Sequence, residues 1–163
     1  MGSQALYDWL DEEPNLFHPG DLDYIHSVER IGRLSNVISI NGGVQLDLMG
    51  QENAESAGTR QLSGVGGQMD FLEGAFRSRG GKGFICINSS RVTKDGERKS
   101  NIVAAIPSGS TVSAPRTMID CVATEYGVAR LMGKSLRERA EAMASIAHPD
   151  FREELMKYAR EHF

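Results

Sequence analysis

The chain has 163 residues and a mass of 17.8 kDa, enough for one domain with a well-buried core. Its 40% hydrophobic and 25% charged residues suit a soluble globular protein, and a net charge of −4 argues against broad nucleic-acid binding. No apolar run approaches the roughly 18 residues of a membrane span, and the acidic start MGSQALYDWLDEEP lacks a signal-peptide pattern, so a cytoplasmic protein without a membrane partner is expected.

Ser3 is placed to cap a short helix from Gln4 to Asp11, and Asp23 a second one running through Ile31 and ended by Gly32. Val37–Asn41 and Val44–Leu48 read as strands, joined at Gly42-Gly43 either as a hairpin or as one bent strand. Residues 51–63 are polar and read mostly as loop, and Gln68–Phe76 as a helix. Phe84–Asn88 is a strand. Lys94-Asp95-Gly96 is a turn signal, with Asn101–Ile106 as the expected partner strand of a hairpin. Thr111–Ser113 and Asp120–Thr124 are further short strands. Ser135-Leu136-Arg137-Glu138 is a capping box opening a helix that turns Ala140, Met143, Ala144 and Ala147 inward. Pro149 starts a last helix to about Glu161 that buries Phe151, Leu155 and Tyr158. The expected fold is a single α/β domain, with a mixed or mostly parallel sheet flanked by helices.

Cys86 and Cys121 lie in apolar strand-like runs and are expected as buried thiols of a reducing compartment. His18, His26, His148 and His162 show no metal-ligand spacing with cysteine or with each other, so no metal is expected. His148, before Pro149, reads as a helix-start residue. Arg137, Glu138, Arg139 and Glu141 read as a solvated charged face.

The most informative stretch is Gly64-Val65-Gly66-Gly67-Gln68-Met69-Asp70-Phe71. Glycines let a backbone pass close to a ligand, and bare N–H groups opening onto a helix N-terminus suit negative charge, as in an oxyanion hole or phosphate cradle. A tight strand-to-helix turn without a ligand is the alternative. Asp70 reads as a capping or pairing residue. The stretch is neither a dinucleotide fingerprint, since Met69 stands where the last glycine is needed, nor a P-loop, since no Lys-Ser or Lys-Thr follows.

Several segments in order resemble one family. They are Ser39-Ile40-Asn41, Leu46-Asp47-Leu48-Met49-Gly50-Gln51, the glycine stretch, and Pro115-Arg116. Thr124-Glu125-Tyr126-Gly127-Val128-Ala129, the run from Leu131 to Ala140, and Ile146-Ala147-His148-Pro149-Asp150-Phe151-Arg152 complete the set. Together they resemble the C-terminal domain of the acetyl-CoA hydrolase/transferase family, which includes 4-hydroxybutyrate and butyrate:acetate CoA-transferases.

The resemblance implies transfer of coenzyme A between short-chain carboxylic acids through a glutamyl-CoA thioester, with coenzyme A entering as the acyl-CoA substrate. It places Gly64, Val65, Gly66 and Gly67 beside the thioester, Gly66 and Gly67 being the favoured N–H donors. It gives Asn41 and Glu125 supporting catalytic roles, with Glu125 expected at a strand-to-helix junction. Lys82, Arg116 and Lys134 are candidates for the CoA phosphates.

The family's nucleophilic glutamate is expected upstream of Met1. Residues 1–163 then read as part of a two-domain enzyme, inactive alone, whose expected partners are the missing N-terminal domain and, in a homodimer, a second copy. Glu29 falls on an expected helix and is no substitute. Gln45 stands where the family usually carries a glutamate, and Asn88–Lys99 departs from the usual run as a variable surface loop. An acyl-CoA hydrolase and a non-catalytic CoA-binding or assembly module are the alternative readings.

Overall fold

The computed structural model describes residues 2–163. Three short helices lead in: α1 (Gln4–Glu12), α2 (Leu22–Ile25) and α3 (Val28–Arg33), with a 3-10 turn at Pro14–Leu16. Ser3 caps α1 as expected, its Oγ accepting from the Leu6 N–H at 3.3 Å. The single helix expected from Asp23 to Ile31 is instead two. Asp21 stands before α2, and Ser27 restarts the chain by accepting from the Arg30 N–H at 3.3 Å. A serine inside a helical run competes for backbone groups, and here it breaks the run. Gly32 lies within α3 rather than ending it, and a Cβ there would stand 3.0 Å from the Arg77 Cβ.

The strands and helices that follow are β1 (Ile38–Gly42), β2 (Gln45–Asp47), β3 (Glu52–Asn53), β4 (Ser56–Ala57), β5 (Arg60–Gln61) and α4 (Gln68–Arg77). Next come β6 (Lys82–Cys86), β7 (Ser90–Val92), β8 (Arg98–Ser100), β9 (Ile102–Val103), β10 (Cys121–Thr124) and β11 (Gly127–Arg130). Helices α5 (Leu136–Ser145) and α6 (Pro149–His162) close the chain.

The main sheet has the order β1-β6-β10-β11, with β1, β6 and β10 parallel and β11 antiparallel. This is the mixed, mostly parallel sheet of an α/β domain. Gly42-Gly43 joins no hairpin: β1 belongs to the main sheet, whereas β2 pairs with β3 and, in parallel, with β9.

Residues 51–63 carry more order than a polar loop was expected to have. Glu52, Asn53 and Ser56 are buried, and Asn53 Oδ1 accepts from the N–H groups of Glu55 at 3.1 Å and Ser56 at 2.9 Å. Inward-turned polar side chains here satisfy backbone groups that apolar patterning does not reveal. The Lys94-Asp95-Gly96 turn does make a hairpin, but between β7 and β8. The expected partner, Asn101–Ile106, supplies β9 to the other sheet instead. Thr111–Ser113 is not a strand; the Ser113 N–H donates to Glu52 O at 2.7 Å, and Ala114 forms an isolated bridge with Glu52.

The C-terminal helices start where expected, but α6 buries Leu155 and Ala159 and leaves Phe151 and Tyr158 half-buried against the core. Ser135 and Glu138 form the reciprocal capping box, and Ala140, Met143, Ala144 and Ala147 are fully buried. Arg139 does not join the solvated face. It is buried and donates to the carbonyls of Met49 at 2.7 Å, Leu131 at 2.9 Å and Arg116 at 2.7 Å. Burial, then the neighbouring Arg116, pulls its pKa down, while Asp47 opposes them.

Directly paired residues share a sheet face. Asn41, Ile85, Val122 and Ala129 lie in one row across the sheet, and Ile40, Phe84, Cys121 and Arg130 in the row on the other face. The first face packs into the core with Leu72 of α4 and Met143 and Ala144 of α5. The second carries exposed apolar side chains at Ile38, Ile40 and Val128. Cys121 is buried as expected, but Cys86 is exposed, because its β6 position faces outward next to Gly42 and Ala123.

Candidate active site

The carboxyl ends of β1, β6 and β10 open onto a cleft of about 450 Å³ lined by Gly43, Cys86, Ile87, Asn88, Ala123 and Thr124. Ligands of parallel α/β sheets bind in crevices at this end, because the strands there give way to loops that can present polar groups.

Asn41 is the penultimate residue of β1, half-buried, and its Nδ2 donates to Ser39 Oγ at 2.9 Å. Glu125 sits in the turn between β10 and β11, not at a strand-to-helix junction. The turn has two residues, Glu125 and Tyr126, and Gly127 at φ 142° accepts a conformation a side chain would strain. Thr124 anchors the turn, its Oγ1 donating to Ile146 O at 2.7 Å and accepting from the Tyr126 N–H at 3.1 Å.

Ser89, in the loop between β6 and β7, holds the Glu125 carboxylate from both sides. Its N–H donates to Oε2 at 2.9 Å and its hydroxyl to Oε1 at 2.5 Å. Desolvation pushes the Glu125 pKa up, but the two Ser89 bonds, with smaller help from its own N–H and from His148, outweigh it. The carboxyl is held below its usual value. Glu125 is thus a fixed, ionised carboxylate at the lip of the cleft.

The glycine stretch leads into α4, with Gly67 at its N-cap and Gly66 at φ 59°. Gly64, Val65 and Gly66 are exposed, and among the described residues the N–H groups of Gly64, Val65, Gly66 and Gly67 have no protein acceptor. Packing disfavours a side chain at Gly67: a Cβ there would stand 2.2 Å from the His26 ring. His26 also lies edge-on to Phe71 with ring centroids 5.0 Å apart, and its Nδ1 is 3.5 Å from Asp70 Oδ2 without a hydrogen bond between them.

Glu52 joins this loop to the cleft. It is fully buried, one oxygen accepting from Gln68 Nε2 at the start of α4 and the other without a partner. A Cβ on Gly43 would stand 2.6 Å from that second oxygen. Burial raises the Glu52 pKa to about 7, partly offset by the Gln68 bond.

The candidate phosphate-binding cations lie elsewhere. Lys82 begins β6, about 13 Å of strand away from Cys86 at the cleft. Arg116 and Lys134 line a separate depression with Met132 and Arg139, beyond the opposite end of the sheet. Gln45 is buried in β2 opposite Asn53. Glu29 lies exposed in the first turn of α3, 3.7 Å from Arg77. His148 caps α6, accepting from the Asp150 N–H at 3.3 Å. Among the described residues no His/Cys/Asp/Glu group is clustered to hold a metal ion, and no helix is long and apolar enough to cross a membrane.

Sequence reasoning missed Ser89, Glu52 and His26. Each acts across 16 to 41 residues of chain on a partner it does not neighbour in sequence, on Glu125, Gln68 and Gly67 respectively.

A parallel sheet with a carboxylate, an amide and free glycine N–H groups toward its carboxyl end defines an α/β domain suited to acyl-transfer chemistry. Residues 2–159 match the acetyl-CoA hydrolase/transferase C-terminal domain, and the chain belongs to that family. It is 45% identical over 163 residues to the 4-hydroxybutyrate coenzyme A transferase of Clostridium kluyveri, covering 100% of this chain and 37% of the relative. It is 43% identical over 158 residues to the butyryl-CoA:acetate CoA-transferase of Anaerostipes caccae, covering 97% and 35%. The crystal structure of 4-hydroxybutyrate CoA-transferase from Porphyromonas gingivalis superposes with a TM-score of 0.78 at 39% identity, covering 100% of this chain and 36% of that one. A more distant relative is an acetyl-CoA hydrolase of Kluyveromyces lactis, at 35% identity over 132 residues. The chain spans little more than a third of the length of the CoA-transferases it matches.

Proposed function

We propose that this chain is the C-terminal part of a CoA-transferase that moves coenzyme A between short-chain carboxylic acids of the butyrate/acetate or 4-hydroxybutyrate type. The observation that carries the reading is identity of 43–45% to such transferases along the whole chain. The pinned Glu125 carboxylate and the unpaired glycine N–H groups agree with it.

In this reading a glutamate upstream of the chain attacks the acyl-CoA carbonyl and expels the CoA thiolate, leaving an acyl-glutamyl anhydride. The thiolate then attacks the glutamyl carbonyl and releases the first carboxylate, so the enzyme carries CoA as a glutamyl thioester until a second acid collects it by the same two steps in reverse. Each attack leaves negative charge on a former carbonyl oxygen. N–H groups of Gly66 and Gly67 stabilise it, and losing one such donor costs a rate factor of about 10²–10³. Glu125, kept ionised by Ser89, and Asn41 orient the nucleophile or the incoming carboxylate. Lys82, Arg116 and Lys134 are left for the distal phosphates only if coenzyme A runs down the flank of the sheet.

The test is turnover of acetyl-CoA with butyrate or 4-hydroxybutyrate. The chain alone is expected to be inactive, and the chain joined to the upstream region of the Clostridium kluyveri relative to be active by ping-pong kinetics. Turnover by the chain alone contradicts the placement of the nucleophile. Release of CoA without an acceptor acid, at a rate equal to that with one, favours instead the hydrolase reading that the Kluyveromyces lactis relative suggests.

A further inference from the structure

Asp47 and Glu52 are both fully buried in the small sheet of β2, β3 and β9, yet they are held very differently. Asp47 accepts from the N–H groups of Met49 at 3.0 Å and Gln51 at 2.9 Å, and from Gln51 Nε2 at 2.7 Å, so both of its oxygens are satisfied. Glu52 has Gln68 Nε2 on one oxygen and nothing on the other. The side chains around it, Leu46 opposite in β2 and Ile85 beside Gly43, carry no charge to offset its own. Burying a carboxyl group with a single hydrogen bond costs free energy that an apolar side chain of the same size does not. Packing alone gains nothing from this residue.

What the side chain connects is clearer than what it packs. The Glu52 backbone is fixed to residues 113–114, its N–H donating to Ala114 O at 3.0 Å and its O accepting from the Ser113 N–H at 2.7 Å. One carboxyl oxygen reaches Gln68, the buried first residue of α4, directly after Gly67. The other lies beside Gly43, which lines the cleft two residues beyond Asn41. Among the described residues, no other side-chain hydrogen bond ties residues 64–70 to a strand. Burial raises the Glu52 pKa to about 7, so below that value the group is mostly a neutral acid and needs no cation.

We propose that Glu52 is a positioning residue of the acyl-transfer site: through Gln68 it sets the head of α4, and with it the direction of the Gly66 and Gly67 N–H groups, against the Asn41–Gly43 end of β1. The role of those N–H groups rests on the transferase reading above, in which they face the acyl carbonyl oxygen. Donors stabilise an oxyanion only if they are already aimed when the charge develops, because reorganising them at that moment forfeits the gain. Gly64, Gly66 and Gly67 have no side chains with which to hold such an aim. A buried bond at the first residue of the helix supplies it, at some expense in stability.

Three variants test it. Glu52→Met fills the space without an acceptor for Gln68, Gln68→Met removes the donor from the other end, and Glu52→Gln keeps an acceptor in neutral form. Nitrogen-15 relaxation of the 163-residue chain reads the positioning without turnover. Order parameters at Gly66, Gly67 and Gln68 are expected to fall from about 0.85 toward about 0.6 in both Met variants and to recover in Glu52→Gln. In the chain joined to the upstream region of the Clostridium kluyveri relative, both Met variants are expected to lose about tenfold or more in kcat with KM for the acyl-CoA unchanged, since only the transition state is less well bound. Glu52→Gln is expected to rescue kcat to within about threefold. The melting temperature of Glu52→Met is expected to hold or rise. Unchanged order parameters in both Met variants overturn the inference, and so does a Glu52→Gln variant as slow as Glu52→Met. A kcat loss in Glu52→Met accompanied by a melting temperature several degrees lower also overturns it, because the bond then serves packing. A joined parent that transfers no CoA sinks the enzymatic reading, while the relaxation data still decide the positioning. Met variants as fast as a transferring parent sink the positioning alone.

Discussion

The two faces of the main sheet are built from the same four strands and yet differ in almost every respect. One is closed by α4, α5 and α6 around fully buried Ile85, Val122, Met143 and Ala144, and is locked at its rim by Arg139 and the Ser135 capping box. The other leaves Ile38, Ile40 and Val128 in solvent. The closed face holds the buried core of the domain, whereas the open face adds exposed apolar side chains beside the cleft at the strands' carboxyl ends.

Substitutions can sharpen or break this contrast. The largest effect is expected for Arg139→Ala, which strands three carbonyls that the buried guanidinium now satisfies. A loss of about 3–5 kcal/mol should appear in urea unfolding. A loss under 1 kcal/mol would mean water replaces the guanidinium freely and the rim is not locked.

Next comes Glu52→Gln. The folded-state pKa of Glu52 is raised to about 7, so the folded chain holds a proton that the unfolded chain releases above its ordinary value of 4.5. Its contribution is therefore most favourable below pH 4.5 and is lost as pH rises toward 7. By linkage this amounts to at most about 3 kcal/mol. The variant should gain stability relative to the parent between pH 5 and pH 8, read as a widening difference in urea midpoints. A constant difference across that range would show that Glu52 titrates normally.

Ser135→Ala removes the N-cap of α5 and should cost about 1 kcal/mol, measured as a lowered melting temperature. The smallest effect is expected on the open face, where Ile40→Ser should change the isolated chain's stability by no more than about 0.5 kcal/mol. A cost comparable to that of a core residue would erase the contrast between the faces.

Much of the closed half was legible in the sequence, because helix caps and apolar periodicity are local signals. Ser135 with Glu138, Pro149 after His148, and the spacing of Ala140, Met143 and Ala144 each define an element from neighbours within a turn or two. What was not legible depends on partners far along the chain. Arg139 looks like any other charge in a charged helix until Met49, Leu131 and Arg116 turn their carbonyls to it. Ile102–Val103 follows a turn signal and suits a hairpin, but pairs with Leu46–Asp47 because that is where its apolar side chains are buried. For the site, the glycine stretch was legible from its own residues and Asn41 and Glu125 were named from resemblance, whereas Ser89, Glu52 and His26 emerge only when segments 16 to 41 residues apart are laid together.

The central claim is that this domain supports, from the carboxyl ends of its strands, a carboxylate nucleophile it does not contain. Mass-spectrometric mapping of the CoA adduct formed when the joined, active protein meets an acyl-CoA tests that claim most directly. The account predicts a glutamyl-CoA thioester on a residue upstream of Met1, and none within residues 1–163. An adduct on Glu125, Glu29 or any other residue of this chain would contradict it.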